Sequence, residues 1–355
     1  MTDDDRSPGW EAIDEALAGI YGDVEPKHYG TILKWKLGGP DPLDGVSIYE
    51  STKFDVAHWH YVGYGLTELY EKESNYAEES GWGFELTFRL RRDSDDPAAQ
   101  PPVWPINLMQ NLARYVFESR ATFAAGHHMN ANGPISVGST TELTALLFVE
   151  DPELAPRDTP HGKMSFVQIV GITAEELAAA QAWSTKGIMA ILSKRTPGWV
   201  TDLARKSVTA NEESMAAIRE GIAREGSSMA MSFTDQLGIR REGDRILVTL
   251  GALGIDQLRK VMPGRLRFDR TLVMMNRADQ ASGFVLQSGP SVALVPSSDP
   301  EEPPTLTLPP DVVTAFAERL EAKAGRYDLS PHLTIIVEKT VVKSSDGKEV
   351  IRTVG

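Results

Sequence analysis

One stretch of the chain alternates strictly between apolar and polar residues and therefore predicts a β-strand. In "GFELTFRLRR" (residues 83–92), the apolar set Phe84, Leu86, Phe88 and Leu90 is interleaved with Glu85, Thr87, Arg89 and Arg91. A period of two places the two sets on opposite faces of a strand. We expect the apolar face to pack on a core and the polar face to lie in water.

The other apolar patterns predict a series of interspersed strands and helices. Predicted strands are "TILKWKL" (31–37), "VSIYES" (46–51), "HWHYVGYG" (58–65), "LTALLFVE" (143–150), "MSFVQIVGI" (164–172), "RILVTLGALGI" (245–255), "TLVMMNR" (271–277), "GFVLQSGPSVALV" (283–295) and "TIIVEKTVV" (334–342). Predicted helices are "AIDEALAGIYG" (12–22), "INLMQNLARYVFES" (106–119), "TAEELAAAQAWSTKGIMAIL" (173–192), "NEESMAAIREGIAREGSS" (211–228) and "PPDVVTAFAERLEAKAG" (309–325). The order lacks the repeated strand–helix–strand unit of a doubly wound sheet, which favours the α+β class. We expect two domains, each a mixed, largely antiparallel sheet packed with helices.

Local signals refine the helices and the domain division. In the helix of residues 106–119, Leu112, Tyr115 and Val116 share one side, which places Tyr115 on the buried face. Thr173 and Glu176 have the spacing of a capping box, which predicts a helix start. A small, polar junction at Gly226 divides the chain into a domain of residues 1–226 and a domain of residues 227–355.

The formal net charge of −14 lies entirely in the first of these domains. Residues 227–355 hold 16 Lys and Arg against 16 Asp and Glu, and the basic residues gather in "RKVMPGRLRFDR" (259–270). This distribution fits either a partner of mixed charge or a solvated surface of uneven charge. An acidic balance argues against nucleic acid as a partner, since nucleic acid binds to basic surfaces.

Composition also limits the compartment and the chemistry. The chain has no cysteine, which excludes disulfides, thiolate metal ligands and cysteine nucleophiles. No apolar stretch approaches the length of a membrane span, and the first residues, "MTDDDRSPGW", are acidic where a secretory signal would be basic. We expect a cytoplasmic protein that binds no membrane.

Two histidines are the candidates for metal chemistry. His58 and His60 lie two apart on a predicted strand, so both imidazoles would point to one face, as two ligands of a metal-dependent enzyme would. The alternative is a structural pair, which we prefer because Trp59 and Tyr61 on the other face are typical of a packed strand.

Two adjacent carboxylates are the candidates for acid–base chemistry. Glu150 and Asp151 follow an apolar strand, where they would act as acid and base or simply start a turn at Pro152. We prefer the turn.

Several long strings, in this order, resemble the N-terminal domain of the Suppressor of fused (SuFu) family over about residues 15–225. They are "LKWKLGGPDPLDGVSIY", "HWHYVGYGLTELY", "GWGFELTFRL", "PPVWPINLMQNLARYVF", "LLFVEDPELAPRDTPHGKMSFVQIVGITAEELAAAQAW" and "WVTDL". The second domain resembles the family more loosely, through "PGRLRFDR". In animals the family comprises cytoplasmic negative regulators of Hedgehog signalling that hold Gli transcription factors by a short peptide. Its bacterial relatives are regarded as immunity proteins of toxin systems.

The resemblance implies a binding protein that catalyses nothing and needs no cofactor. Its partner would be a peptide or protein, held as an added strand between the two domains. The long insertion of the animal C-terminal half is absent here, which suggests a bacterial member. A monomeric immunity protein against a toxin and a regulatory scaffold without a toxin both fit this interpretation.

The resemblance also implies where a partner would bind. The family's peptide contacts fall on Tyr115 and Glu150, and less securely on Leu258; a family carboxylate falls at about His127. An imidazole in that position cannot accept the charge-assisted bond of a carboxylate. To this set we add three residues by position: Asp151 beside Glu150, and Arg265 and Arg267 of the basic segment.

Overall fold

The computed structural model describes residues 7–93, 96, 98–277, 279, 282–299, 302–343 and 349–355. Contacts divide the chain into two compact units. The first comprises Met1–Leu177 and Met189–Asn211, and the second Ala178–Ile188 and Glu212–Gly355. The helix that precedes Gly226 belongs by its contacts to the second unit, and a domain boundary at Gly226 stays a prediction. None of the helices in the described residues is long and apolar enough to cross a bilayer.

The first unit is built on one eight-stranded sheet. Its strands are β1 (Lys27–Gly30), β2 (Gly45–Ser51), β3 (His58–Tyr64), β4 (Glu79–Arg91), β5 (His128–Asn130), β6 (Leu143–Glu150), β7 (Arg157–Thr159) and β8 (Gly162–Thr173). The helices of this part of the chain are α1 (Pro8–Tyr21), α2 (Trp104–Ser119), α3 (Ala174–Ala182) and α4 (Thr185–Leu192). The spatial order is β1-β2-β3-β4-β8-β6-β5, with β7 paired to β8, and only β4 and β8 run parallel. β1 and β5 lie at the two ends of this order and are therefore edge strands.

Helices cover both faces of this sheet. On one face, α2 contributes Met109, Leu112 and Val116 to a core that includes the apolar residues of β4. On the other face, α1 contributes Ile13 and Leu17 to a second core. A sheet covered on both sides leaves no face for water.

The polar face of β4 is consequently buried. Glu85, Thr87 and Arg89 have no exposed surface, so the prediction of a strand with one wet face is wrong. Each of these side chains must find its hydrogen bonds inside the protein, because an unpaired polar group there costs several kcal/mol, roughly 2–7. Two of the three, Thr87 and Arg89, form part of the site described below.

The predicted strand of residues 31–37 is wrong. The chain instead forms a 3-10 turn at Trp35–Leu37, and Gly38 follows with φ 87°. At Gly39 an added Cβ would lie 1.9 Å from the carbonyl oxygen of Leu33. The glycines thus allow a tight corner of the backbone.

The predicted helix of residues 173–192 is two helices. The capping box is confirmed, since Thr173 N–H donates to Glu176 Oε2 at 2.9 Å and Glu176 N–H donates to Thr173 Oγ1 at 3.3 Å. Ser184 Oγ accepts from Gly187 N–H at 2.8 Å and so caps a new helix. This second cap explains the break between α3 and α4.

The second unit contains two mixed sheets and a hairpin. Its strands are β9 (Met231–Thr234), β10 (Leu237–Glu242), β11 (Arg245–Gly251), β12 (Leu272–Asn276), β13 (Gly283–Ser288), β14 (Ala293–Val295), β15 (Thr305–Leu308), β16 (Gly325–Ser330), β17 (Leu333–Glu338), β18 (Thr340–Lys343) and β19 (Val350–Val354). Its helices are α5 (Glu212–Glu225), α6 (Ile255–Leu266) and α7 (Pro310–Arg319). The strand orders are β10-β11-β17-β16, β14-β15-β13-β12-β9 and β18-β19. Two units of sheets and helices confirm the α+β class.

The sequence did not predict α6, and the strand predicted to reach residue 255 ends at Gly251. Leu258, Val261 and Met262 have helical spacing and are buried in the core of the second unit. Pro263 lies inside the helix, where it removes a backbone hydrogen bond and normally argues against helix. Packing of the apolar face outweighs that local preference.

Candidate partner-binding groove

A cavity of about 550 Å³ opens in the first unit at the end of β6. Glu150, which ends β6, lines it together with the turn that follows, including Asp151 and Pro152. Phe123, from the segment before β5, lines the cavity as well. We call this cavity the groove. It brings together the two carboxylates that the sequence singled out.

A stack of aromatic rings extends from Phe123, which lines the groove, and we call this stack the aromatic wall. Phe123 stacks on Phe148, with ring centroids 4.1 Å apart and planes 12° apart, and Tyr115 of α2 stacks on Phe123 at 5.8 Å. Tyr115 is 41% exposed, so the predicted placement on the buried side of α2 is wrong. Leu112 and Val116 face the core, and Tyr115 extends the aromatic wall into solvent.

The edge strand β5 begins beside this wall. His127, just before β5, is exposed, and its Nδ1 accepts from Ala124 N–H at 3.3 Å. The carbonyl oxygen of His127 accepts from Phe148 N–H at 3.0 Å, so β5 is held to β6 on one side. The other side of β5 is an edge of the sheet among the described residues. Edge strands are the elements to which proteins add a partner's strand.

Asp151 is buried and fixes the turn that lines the groove. Its Oδ1 accepts from the backbone N–H groups of Glu153 at 2.9 Å and Leu154 at 3.0 Å. Its Oδ2 accepts from Thr87 Oγ1 at 2.7 Å. This geometry is that of a carboxylate that starts a turn at Pro152, as the sequence indicated. The side chain is shielded from solvent, in contrast to the exposed carboxylate of Glu150.

Arg89 on β4 joins the turn to the centre of the sheet. Its guanidinium donates to Asp151 Oδ2 at 2.5 Å and to Asp151 Oδ1 at 3.0 Å, which is a bidentate pair. It also donates to Glu153 Oε2 at 3.0 Å and to Gln168 Oε1. One buried cation on β4 thus fixes the turn that lines the groove.

His60 completes this buried network. It lies opposite Arg89 across the β3–β4 pair, and its Nε2 is 3.3 Å from Asp151 Oδ2. Its Nδ1 forms a hydrogen bond of 2.8 Å with the hydroxyl of Tyr21, and burial raises the pKa of Tyr21. His58 lies on the same strand and donates from Nδ1 to the carbonyl oxygen of Val56 at 2.6 Å.

The electrostatics follow from burial around one arginine. Burial, aided by the charge of Arg89, lowers the pKa of both His58 and His60 to about 4, so both imidazoles are neutral near pH 7. Burial alone would raise the pKa of Asp151, but its contacts with His60 and Arg89 lower that pKa below its usual range. The described residues contain no group of three or more His, Asp or Glu placed to hold a metal ion.

The candidate residues of the second unit have different surroundings. Leu258 is buried in the core of that unit. Arg265 is only 8% exposed and donates to the carbonyl oxygens of Thr271 at 2.9 Å and Ser227 at 3.2 Å. Arg267 is exposed, and its Nη2 lies 3.2 Å from Thr314 Oγ1. A role for Leu258, Arg265 and Arg267 in binding stays a prediction.

Sequence reasoning missed two residues of this site: Phe123, which lines the groove, and Arg89, which holds the turn beside it. Phe123 carries no periodic signal because it lies in an irregular segment. Arg89 was assigned to solvent because its strand alternates. A signal for Arg89 was present in two strands together. His58 and His60 on β3 and Thr87 and Arg89 on β4 are polar residues on strands that pair with each other, which indicates a buried polar network between them.

Comparisons with known proteins agree with this fold. Residues 39–206 match the family model described as Suppressor of fused protein. The chain is 39% identical over 241 residues to the Suppressor of fused homolog of Homo sapiens, and equally to that of Mus musculus. These matches cover 60% of this chain and 48% of each relative, so the chain spans about half the length of the curated relatives it matches.

Solved structures extend the comparison. The crystal structure of Drosophila Suppressor of Fused covers 94% of this chain and 97% of its own, with a TM-score of 0.75 and 23% identity, and therefore supports the fold alone. A chain of the Sufu–Fu complex matches with a TM-score of 0.56 and 32% identity, over 60% of this chain and 98% of its own. Family model, curated relatives and fold agree, and the chain belongs to the Suppressor of fused family.

Proposed function

We propose that this protein binds a partner protein without catalysing a reaction, and that an extended segment of the partner adds to β5 along the groove. The observation that carries the proposal is the position of Phe123, which lines the cavity together with Glu150, stacks on the exposed Tyr115 and lies in the segment that leads into the edge strand β5. Main-chain hydrogen bonds to an edge strand give affinity, and the flanking pocket gives specificity. A relative of this chain that was crystallised in the Sufu–Fu complex supports a protein as the partner.

The chemistry of the groove favours a particular kind of segment. Glu79, Glu150 and Glu153 line it, and the apolar ring of Phe123 lines it as well. A segment with a lysine or arginine near an apolar side chain would complement both features. The imidazole of His127 would accept or donate one neutral hydrogen bond at the edge, where the animal family has a carboxylate.

The finer form of the proposal is a clamp in which the segment also pairs with an edge strand of the second unit. β9 is an edge of its five-stranded sheet and exposes Met231 and Phe233. A monomeric, cytoplasmic immunity protein of a bacterium and a regulatory scaffold are two biological roles for such a clamp. Pull-down from the source cells, followed by mass spectrometry, would distinguish a toxin from a host protein as partner.

Tyr115→Ala and Glu150→Gln are each expected to weaken partner binding by about 1–3 kcal/mol, the range for loss of an aromatic anchor or a charge-assisted hydrogen bond. Both side chains are exposed, so the fold should persist. The measurement is calorimetric titration with the partner isolated by pull-down. Circular dichroism would confirm that each variant is folded.

Tyr29→Ala is the matched control, because Tyr29 is a partly exposed tyrosine on β1, the opposite edge of the same sheet. The affinity of Tyr29→Ala for the partner should equal that of the wild type. Unchanged affinity in both groove variants would show that the partner occupies another surface.

A further inference from the structure

A second cavity of about 350 Å³ lies in the first unit, and five aromatic residues line it: Trp35, Tyr70, Tyr76, Trp82 and Phe117. Trp35 and Phe117 meet at 5.5 Å with planes 61° apart, and Trp82 and Phe117 meet at 5.5 Å with planes 65° apart. We call this cavity the Trp35 pocket. Trp82 lines both this pocket and the groove, so the two cavities are neighbours.

The loop that carries Trp35 exposes an unusual amount of apolar surface. Ile32 and Leu33 precede it and Leu37 follows it, and all three are exposed, with Leu37 at 72%. Tyr76, which lines the pocket, is also 72% exposed. Single exposed apolar residues are common, but several of them on the loop that contributes Trp35 to a cavity favour a binding surface.

The segment of residues 71–79, which contributes Glu73, Ser74 and Tyr76 to the lining of the pocket, is acidic. It contains Glu71, Glu73, Glu78 and Glu79, all exposed, against one lysine. Lys36 pairs with Glu73. In the part of the chain that the structure describes, the carboxylates of Glu71 and Glu78 form no ion pair within 4.0 Å. The excess negative charge attracts a cationic segment and repels nucleic acid and anionic membranes.

We propose that the Trp35 pocket binds one aromatic side chain of a partner protein, presented by a segment with lysine or arginine on both sides of that side chain. The cavity is at the small end of ligand sites, roughly 300–1,000 Å³, which fits a single large side chain better than a cofactor. Aromatic side chains pack edge-to-face on rings arranged as these are. The flanking cations would pair with Glu71 and Glu78.

Selection from a random 12-residue phage-displayed peptide library tests the proposal on the full chain. We expect a class of enriched peptides with Trp, Phe or Tyr between basic residues. A synthetic peptide of that class should bind at least ten-fold more weakly to Trp35→Ala than to the wild type. Trp35→Phe, which keeps a ring, should restore most of the affinity. Glu71→Gln with Glu78→Gln should weaken binding several-fold and reduce its salt dependence.

The same peptides distinguish binding in the groove from binding in the Trp35 pocket. Binding that falls in Tyr115→Ala and not in Trp35→Ala would assign the peptide to the groove. The Trp35 pocket is overturned if no enriched peptide depends on Trp35, or if those that do are acidic or lack an aromatic residue. Loss of binding in Trp35→Ala alone leaves the groove proposal untouched.

A second measurement detects peptide binding in the wild-type protein itself. The indole N–H signals of Trp35 and Trp82 in the wild-type protein should shift when the peptide is added, and that of Trp59, which does not line the pocket, should not. Assignment uses single Trp→Phe variants. Peptide binding that leaves the Trp35 and Trp82 signals unmoved would overturn the proposal.

Discussion

Arg89→Met is expected to destabilise the first unit by about 3–5 kcal/mol, the usual range for breaking a buried ion pair by removing one partner. Arg89 is fully buried, and its guanidinium donates hydrogen bonds to the carboxylates of Asp151 and Glu153. Without it, the buried carboxylates of Asp151 and Glu153 would lose the cation that they share. The loss would also release the turn that lines the groove, so partner binding should weaken together with stability.

Urea unfolding followed by hydrogen exchange and mass spectrometry would measure this effect and locate it in β4 and β8. Arg91→Met is the matched control, because Arg91 lies two residues away on β4 and forms an exposed pair with Asp202. Such a surface pair contributes roughly 0–1 kcal/mol. The double variant Arg89→Met with Asp151→Asn should lose less stability than the two single variants added together. A change below about 1 kcal/mol in Arg89→Met would mean that the network does not stabilise the sheet.

The same network shows what the sequence could and could not predict. Alternation identified β4 as a strand, and apolar spacing identified both helices that cover the sheet. Burial of the polar face could not be read from β4 alone, because it depends on the strands and helix that pack beside it. His60 lies opposite Arg89 only in the β3–β4 register, and Asp151 arrives from the far end of β6. His60 and Asp151, which meet in this network, are 91 residues apart in the sequence.

Local sequence preference predicts the wrong structure in two places, and each has a physical reason. Residues 31–37 contain β-favouring side chains, but a turn closed by Gly38 interrupts them. Pro263 hid α6, whose apolar face is stabilised by the core of the second unit. In the groove, Tyr115 and Glu150 were identified through the resemblance and Phe123 was missed. Arg265 was expected at a basic rim and instead donates to backbone carbonyl groups.

Acidification is expected to destabilise the protein through His58 and His60, by about 3 kcal/mol for each histidine between pH 7.5 and pH 4. In the folded state both have a pKa lowered from 6.5 to about 4, first by burial and then by Arg89. The unfolded chain therefore binds protons between pH 6.5 and pH 4 that the folded chain does not, and its free energy falls relative to the folded state. The free energy of unfolding is therefore highest, as far as these two histidines decide it, above pH 6.5, and it decreases progressively as the pH falls toward 4.

Glu85 titrates in the opposite sense, so the histidine effect must be isolated by a variant. Burial raises the pKa of Glu85 from 4.5 to about 7, although the hydrogen bonds that it accepts from Thr67 and neighbouring backbone groups lower that pKa. The contribution of Glu85 to the stability of the folded protein is therefore lost as the pH rises. His58→Phe keeps a ring and removes the titration, while Glu85 is unchanged in both proteins. The difference in unfolding free energy between wild type and His58→Phe, measured in urea from pH 7.5 to pH 4, should shift by about 3 kcal/mol against the wild type. The lost bond to the carbonyl oxygen of Val56 adds an offset that is independent of pH and does not affect this slope. A difference that stays constant across the range would show that His58 is protonated as readily in the folded protein as in the unfolded chain.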